Sequence, residues 1–260
     1  MPSATASAPL GATEIVPVPT LGRTFTVQRS VRLGDVTPKG RLRLDAIARY
    51  LQDVANDDAV DGQLPDALSW VVRRTMIEVH QAPVFRERLD VTTFCGGYGS
   101  RWAERRTQIL GAEGGHVETV TIWVRFNSET RRPAKLSPEF HELWGEAAKG
   151  RIVRARNFLP APQGDEQTSR WYTRFVDFDV LAHLNNAVYW NPVEEQIGAL
   201  GLGGRFRAEV EYGAGITREQ EVMVALDPVG SDGFDLWLLA DGSVQASARV
   251  RPLDSVDLGA

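Results

Sequence analysis

Cysteine is nearly absent from this chain: Cys95 stands alone in 260 residues. A lone thiol excludes an internal disulfide and a thiolate metal cluster. It lies in Leu89-Asp90-Val91-Thr92-Thr93-Phe94-Cys95, which reads as a strand, so a buried inert thiol is the expected role. Histidine is also scarce, with His80, His116, His141 and His183 only. No apolar run approaches the roughly 18 residues of a membrane span, and the N-terminus has neither a basic segment nor an apolar core to mark a leader. A cytoplasmic location is the resulting expectation. A net charge of −5 leaves no general excess of basic residues for nucleic acid or an anionic membrane. Gly-x-Ser-x-Gly, a phosphate loop, a dinucleotide fingerprint and His-Glu-x-x-His are all missing, which removes the main signatures of serine hydrolases, nucleotide enzymes and zinc proteases. No metal and no redox cofactor is expected.

Apolar residues, by contrast, are plentiful at 43%, enough for one large core or two moderate ones. Residues 1–20 read as a flexible tail, rich in Ala, Ser, Thr and Pro. From Thr24, the alternation of Phe25, Val27, Val31 and Leu33 predicts a half-buried strand. Leu44, Ile47, Leu51, Val54 and Ala55 then recur at helical spacing. Strand-like runs follow over 69–79, 86–96, 102–111 and 117–127. The stretch 149–168 reads as a linker, after which the order repeats: a strand over 170–176, a polar turn, a helix to about Gly201, and strands over 205–212, 219–227, 234–240 and 244–251. Pro192 predicts a kink in that second helix, or a regular part beginning near it. The fold class is therefore α+β, in two copies over 21–148 and 169–252, with a short tail at 253–260. About five strands wrapped on one long helix is the hotdog arrangement, and two in tandem make a pseudo-dimer with a groove between the halves for an extended ligand. Sliding the chain by 144 positions lays Asp35-Val36 on Asp179-Val180 and puts Lys39 opposite His183.

The second polar turn, Asp177-Phe178-Asp179-Val180-Leu181-Ala182-His183-Leu184-Asn185-Asn186, concentrates two acids, a histidine and two amides before a helix. A strand end with an Asn cap accounts for Asn185 or Asn186 but does not call for the histidine. Unpaired N–H groups at a helix start polarise a carbonyl placed on them, and a carboxylate and imidazole four residues apart can act on water beside it. The amides from Asn185 to Ala187 are the expected donors. Asp57, in the Asn56-Asp57-Asp58 end of the first helix, is a second candidate facing the same groove.

Several segments together resemble the acyl-ACP thioesterase family of plant plastids and bacteria. Its Asp-x-Asp-x-Asn-x-His-x-Asn-Asn-x-x-Tyr motif is similar to Asp177, Asp179, His183, Asn185, Asn186 and Tyr189. Its Trp-Val-x-x-Asn-x-x-Thr-Arg-Arg run is similar to Trp123 through Arg132. The family's Asn before the histidine is Leu181 here, and its acid-Cys pair falls on Gly215-Ile216. The resemblance implies a tandem hotdog that hydrolyses fatty acyl-ACP, with Asp179 as base or nucleophile, His183 orienting or protonating, and Asn185 in support. It implies an acyl-carrier protein or CoA thioester as partner, with Arg131, Arg132 and Lys135, then Arg105 and Arg106, as a basic face for the acidic carrier. A monomeric pseudo-dimer and a homodimer both remain open. So do three other readings: an acyl-CoA thioesterase, a hotdog hydratase, and an acyl-binding protein that has lost catalysis.

Overall fold

The computed structural model describes residues 15–64, 69–127, 129–130, 132–230 and 233–253. The first half runs β1 (Thr24–Ser30), α1 (Leu44–Asp61), β2 (Trp70–Gln81), β3 (Arg88–Tyr98), β4 (Trp102–Gly111), β5 (His116–Arg125) and a short α2 (Pro138–Trp144). The second runs β6 (Gln167–Trp171), α3 (Trp190–Ala199), β7 (Phe206–Tyr212), β8 (Val222–Val229), β9 (Gly233–Ala240) and β10 (Ser243–Pro252). All ten strands join one antiparallel sheet in the order β1-β3-β4-β5-β2-β7-β10-β9-β8-β6. Each half contributes five neighbouring strands, and β2 pairs with β7 at the centre. This is a tandem hotdog.

Amphipathic spacing explains the helices. Leu44, Ile47, Leu51 and Val54 put one face of α1 on the sheet, and Trp190, Val193 and Ile197 do the same for α3. One apolar cluster contains residues from both helices and both half-sheets, so the halves share a core. A smaller cluster gathers Cys95, Ala103, Phe140 and Trp144 where α2 closes over the far end of α1. The stretch after α2 is tied down at intervals. Trp102 donates its ring N–H to the Val153 carbonyl at 2.9 Å, and the amides of Phe158 and Leu159 both donate to the Glu211 carboxylate.

One local expectation changes. The strand expected over 170–176 stops at Trp171, and Phe175–Asp177 forms a 3-10 turn. The reason is local: the Asp177 carboxylate accepts the Arg174 N–H at 2.7 Å and winds the chain. His116 opens β5. The second helix begins at Trp190, preceded by a tight turn over 186–189, and Pro192 occupies its first helical turn. A proline there loses only an N–H that has no partner inside the helix.

Candidate active site

The polar turn is built by backbone hydrogen bonds before any side chain enters. Asp179 N–H donates to the His183 carbonyl at 2.9 Å, and Ala182 N–H donates to the Asp179 carbonyl at 3.0 Å. Ala182 takes φ of 59°, the left-handed conformation that lets the loop close in five residues. Asp179 and His183 are thus the two ends of one loop. Asn185 N–H donates to the Asp177 carbonyl and Leu184 N–H to the Ile216 carbonyl, which fastens the loop to the 3-10 turn on one side and to the chain after β7 on the other.

The two acids differ. Asp177 is buried and committed, accepting from the Arg174 backbone and guanidinium. Asp179 is partly exposed, and one oxygen accepts the Leu181 N–H at 2.9 Å. Its other oxygen has no hydrogen bond among the described residues. The His183 ring lies against Gly215: a Cβ there would stand 3.3 Å from Cδ2. At this position, where the family resemblance called for an acid, His183 faces a glycine. Burial pushes the Tyr189 hydroxyl up to about 12, opposed by its hydrogen bond to the Ile216 backbone and reinforced by the charge of Asp179. Tyr189 therefore stays neutral beside the acid.

Of the three amides expected to bind a carbonyl, two are taken. Asn185 N–H is held by Asp177, and Ala187 N–H donates to Asn185 Oδ1 at 2.9 Å, so Asn185 caps the tight turn over 186–189 rather than α3 itself, whose N-cap is Tyr189. Asn186 N–H alone has no acceptor among the described residues.

A cavity of about 220 Å³ runs beside α1, walled by Gln52, Ala55, Asn56 and Ala59 and closed by Phe140 and Trp144 of α2. It lies inside the first half rather than in a groove between halves. Among the described residues lining it, Leu181 alone comes from the second half. The polar loop that carries Asp179 and His183 therefore meets the cavity at Leu181.

Other expected residues lie elsewhere. Asp57 does not line the cavity and pairs with Arg29 at 3.2 Å. Its neighbour Asp58 is buried, gripped by Arg23, Arg105 and the Trp144 ring N–H, and braces the cavity floor. Arg105 is spent on Asp58, and Arg106 is buried against Glu104, so neither offers a docking charge. Arg132 and Lys135 are exposed on the turn after β5, while Arg131 lies outside the described residues. That turn is shaped by Asn127, whose Oδ1 accepts the Thr130 N–H at 2.7 Å. Burial pushes the Cys95 thiol up to about 11, which fits an inert wall residue. Among the described residues, no three of His, Cys, Asp and Glu gather to hold a metal ion, and no helix is long and apolar enough to cross a membrane.

Sequence reasoning missed Gln52 and α2. The folded loops set the repeat register at 142 positions rather than 144, which lays Gln52 on Glu194. Arg43 N–H bonds to Asp35 O as Asn185 N–H does to Asp177 O, and Thr37 N–H bonds to Arg41 O as Asp179 N–H does to His183 O. Arg41, not Lys39, is the counterpart of His183.

Comparison with known proteins identifies the family and the fold. Residues 22–144 match the acyl-ACP thioesterase N-terminal domain and residues 161–235 the C-terminal domain. An uncharacterised protein of Mycobacterium tuberculosis is 27% identical over 92% of this chain and 96% of its own. A chloroplastic palmitoyl-acyl carrier protein thioesterase of Cuphea hookeriana is 25% identical over 90% of this chain and 64% of its own. The crystal structure of an acyl-ACP thioesterase from Bacteroides thetaiotaomicron superposes with a TM-score of 0.73 over 87% of this chain and 96% of its own, at 19% identity, a likeness of fold. With both halves matched in order, the chain belongs to the acyl-ACP thioesterase family and is a thioester hydrolase.

Proposed function

We propose that the protein releases fatty acids from acyl-carrier protein, with the acyl chain lying along α1 and the thioester at the 179–186 loop. One observation carries this reading: Leu181, in the loop whose ends are Asp179 and His183, forms part of the wall of an otherwise first-half cavity. A chain filling that cavity brings its carbonyl to the loop. The Asn186 N–H would polarise the carbonyl oxygen as charge develops on it. The free oxygen of Asp179 would take a proton from water as water attacks, or would itself attack to give an anhydride that water then opens. Either way the C–S bond breaks and the thiolate leaves with a proton, which His183 would supply or steer. Asn185 supports the loop through its cap. An acidic carrier would meet Arg132 and Lys135 on the exposed turn after β5, with Arg131 beside them in sequence.

The test is thiol release from the same acyl group carried by acyl-carrier protein and by CoA. Asp179→Asn and His183→Ala should each lower turnover by about 100-fold or more. Arg132→Glu should raise KM for the carrier-bound substrate alone. Undiminished turnover in both loop variants would refute the assignment, and equal KM effects on both carriers would remove Arg132 from docking.

A further inference from the structure

The first-half loop holds a copy of the site with its ligand place filled. Leu44 N–H is the counterpart of Asn186 N–H under the 142-residue shift, and it donates at 2.9 Å to the carboxylate of Glu194, on α3 of the opposite half. The other Glu194 oxygen binds the guanidinium of Arg41, the counterpart of His183, and that guanidinium also lies over the Phe206 ring at 5.9 Å. An oxygen atom from across the pseudo-twofold thus sits on the helix-start amide, beside the residue in the histidine's place.

The same shift lays Gln52 on Glu194. The burial of the helices supports this register: Ile47 and Tyr189, Ala48 and Trp190, Leu51 and Val193, and Ala55 and Ile197 are all buried pairs. Gln52 is therefore the α1 counterpart of the residue by which α3 reaches the first loop. Gln52 lines the cavity with Leu181, and neither its side chain nor the Asn186 N–H has a hydrogen-bond partner among the described residues. Where the first site carries a carboxylate that satisfies its own amide, the second carries a neutral carboxamide able to donate, and its amide is open among the described residues.

We infer that Gln52 is the second donor to the thioester carbonyl, so that the oxyanion is held between the Asn186 N–H of one half and the Gln52 carboxamide N–H of the other. The inference rests on the thioester reading above. Glutamate at this position would occupy the amide and repel a developing oxyanion, whereas glutamine keeps the shape, removes the charge and supplies hydrogens. Because the donor is preset in both ground and transition states but the charge appears only in the latter, its loss should fall on kcat more than on KM.

The experiment pairs kinetics with the titration of His183 followed by NMR. Gln52→Ala should lower kcat about 100-fold with little change in KM. Gln52→Glu should raise the His183 pKa, since a carboxylate would then face the imidazole as Glu194 faces Arg41. Unchanged kcat in Gln52→Ala together with an unmoved His183 titration in Gln52→Glu would overturn the inference. A wild-type protein that releases no thiol, with His183 still shifted in Gln52→Glu, would defeat the thioester reading while upholding the placement of Gln52.

Discussion

Gly215 touches the His183 ring in a backbone conformation, φ of +96°, that L side chains rarely adopt. Two costs would therefore fall together on Gly215→Ala: backbone strain of about 1–3 kcal/mol, and a Cβ that presses on the imidazole. The variant should lose stability by that order in a denaturant titration, and its thiol-release rate should fall as the ring shifts; a variant as stable and as active as wild type would contradict the contact. At this scale the sequence made the polar loop that holds Asp179 and His183 legible, because a carboxylate and an imidazole at fixed spacing before a helix stand out. It was uninformative about Asp57, Arg105 and Arg106. Whether an ionisable group is available depends on what neutralises it, and Arg29, Asp58 and Glu104 come from other elements.

The two helices differ in how they begin. Leu44 starts α1 directly, while the equivalent stretch 186–189 is a tight turn and α3 starts at Trp190. The proline at 192 has no N–H to give to the Val188 carbonyl, so a full α-turn there would lack a bond. Asn185 takes over by accepting the Ala187 N–H. Asn185→Ala should cost about 1 kcal/mol of stability, and Asn185→Asp should retain most of it because a carboxylate accepts the same bond. Chemical denaturation of the two variants checks this, and equal losses would show that the cap is not the source. Strand positions were legible within a few residues from alternation and glycine punctuation. The repeat register was not, because a chance Asp-Val match outweighed hydrogen bonds that only the folded loops display.

On the scale of the whole molecule, the halves meet along β2 and β7, and the junction carries a titratable cluster. His80 stacks on His116 with ring centroids 4.6 Å apart, lies 3.3 Å from Glu78, and has Arg205 and Glu118 around it. Burial, then the charge of His116, lowers the His80 pKa from its ordinary 6.5, with Glu78 opposing. The folded state therefore binds this proton less readily than the unfolded state. The corresponding stability is present above pH 6.5 and is lost as the pH falls through the lowered value. His80→Gln should flatten that part of the profile, measured as denaturation midpoints at about pH 7.5 and about pH 5.5. An identical decline in the variant would assign it to other groups. The shared apolar cluster further implies that both halves unfold together.

Order of elements, duplication, and the acid and histidine of the second loop follow from the sequence alone, because alternation, helical spacing and polar turns are local properties of a chain. Which amide stays open, where the cavity runs, and which helix residue faces the loop were decided by tertiary structure. Among the described residues Asn186 N–H has no acceptor, while Asp177 and Asn185 satisfy the amides on either side of it. Gln52 reaches the site only because the β2–β7 junction sets α1 of one half against the loop of the other.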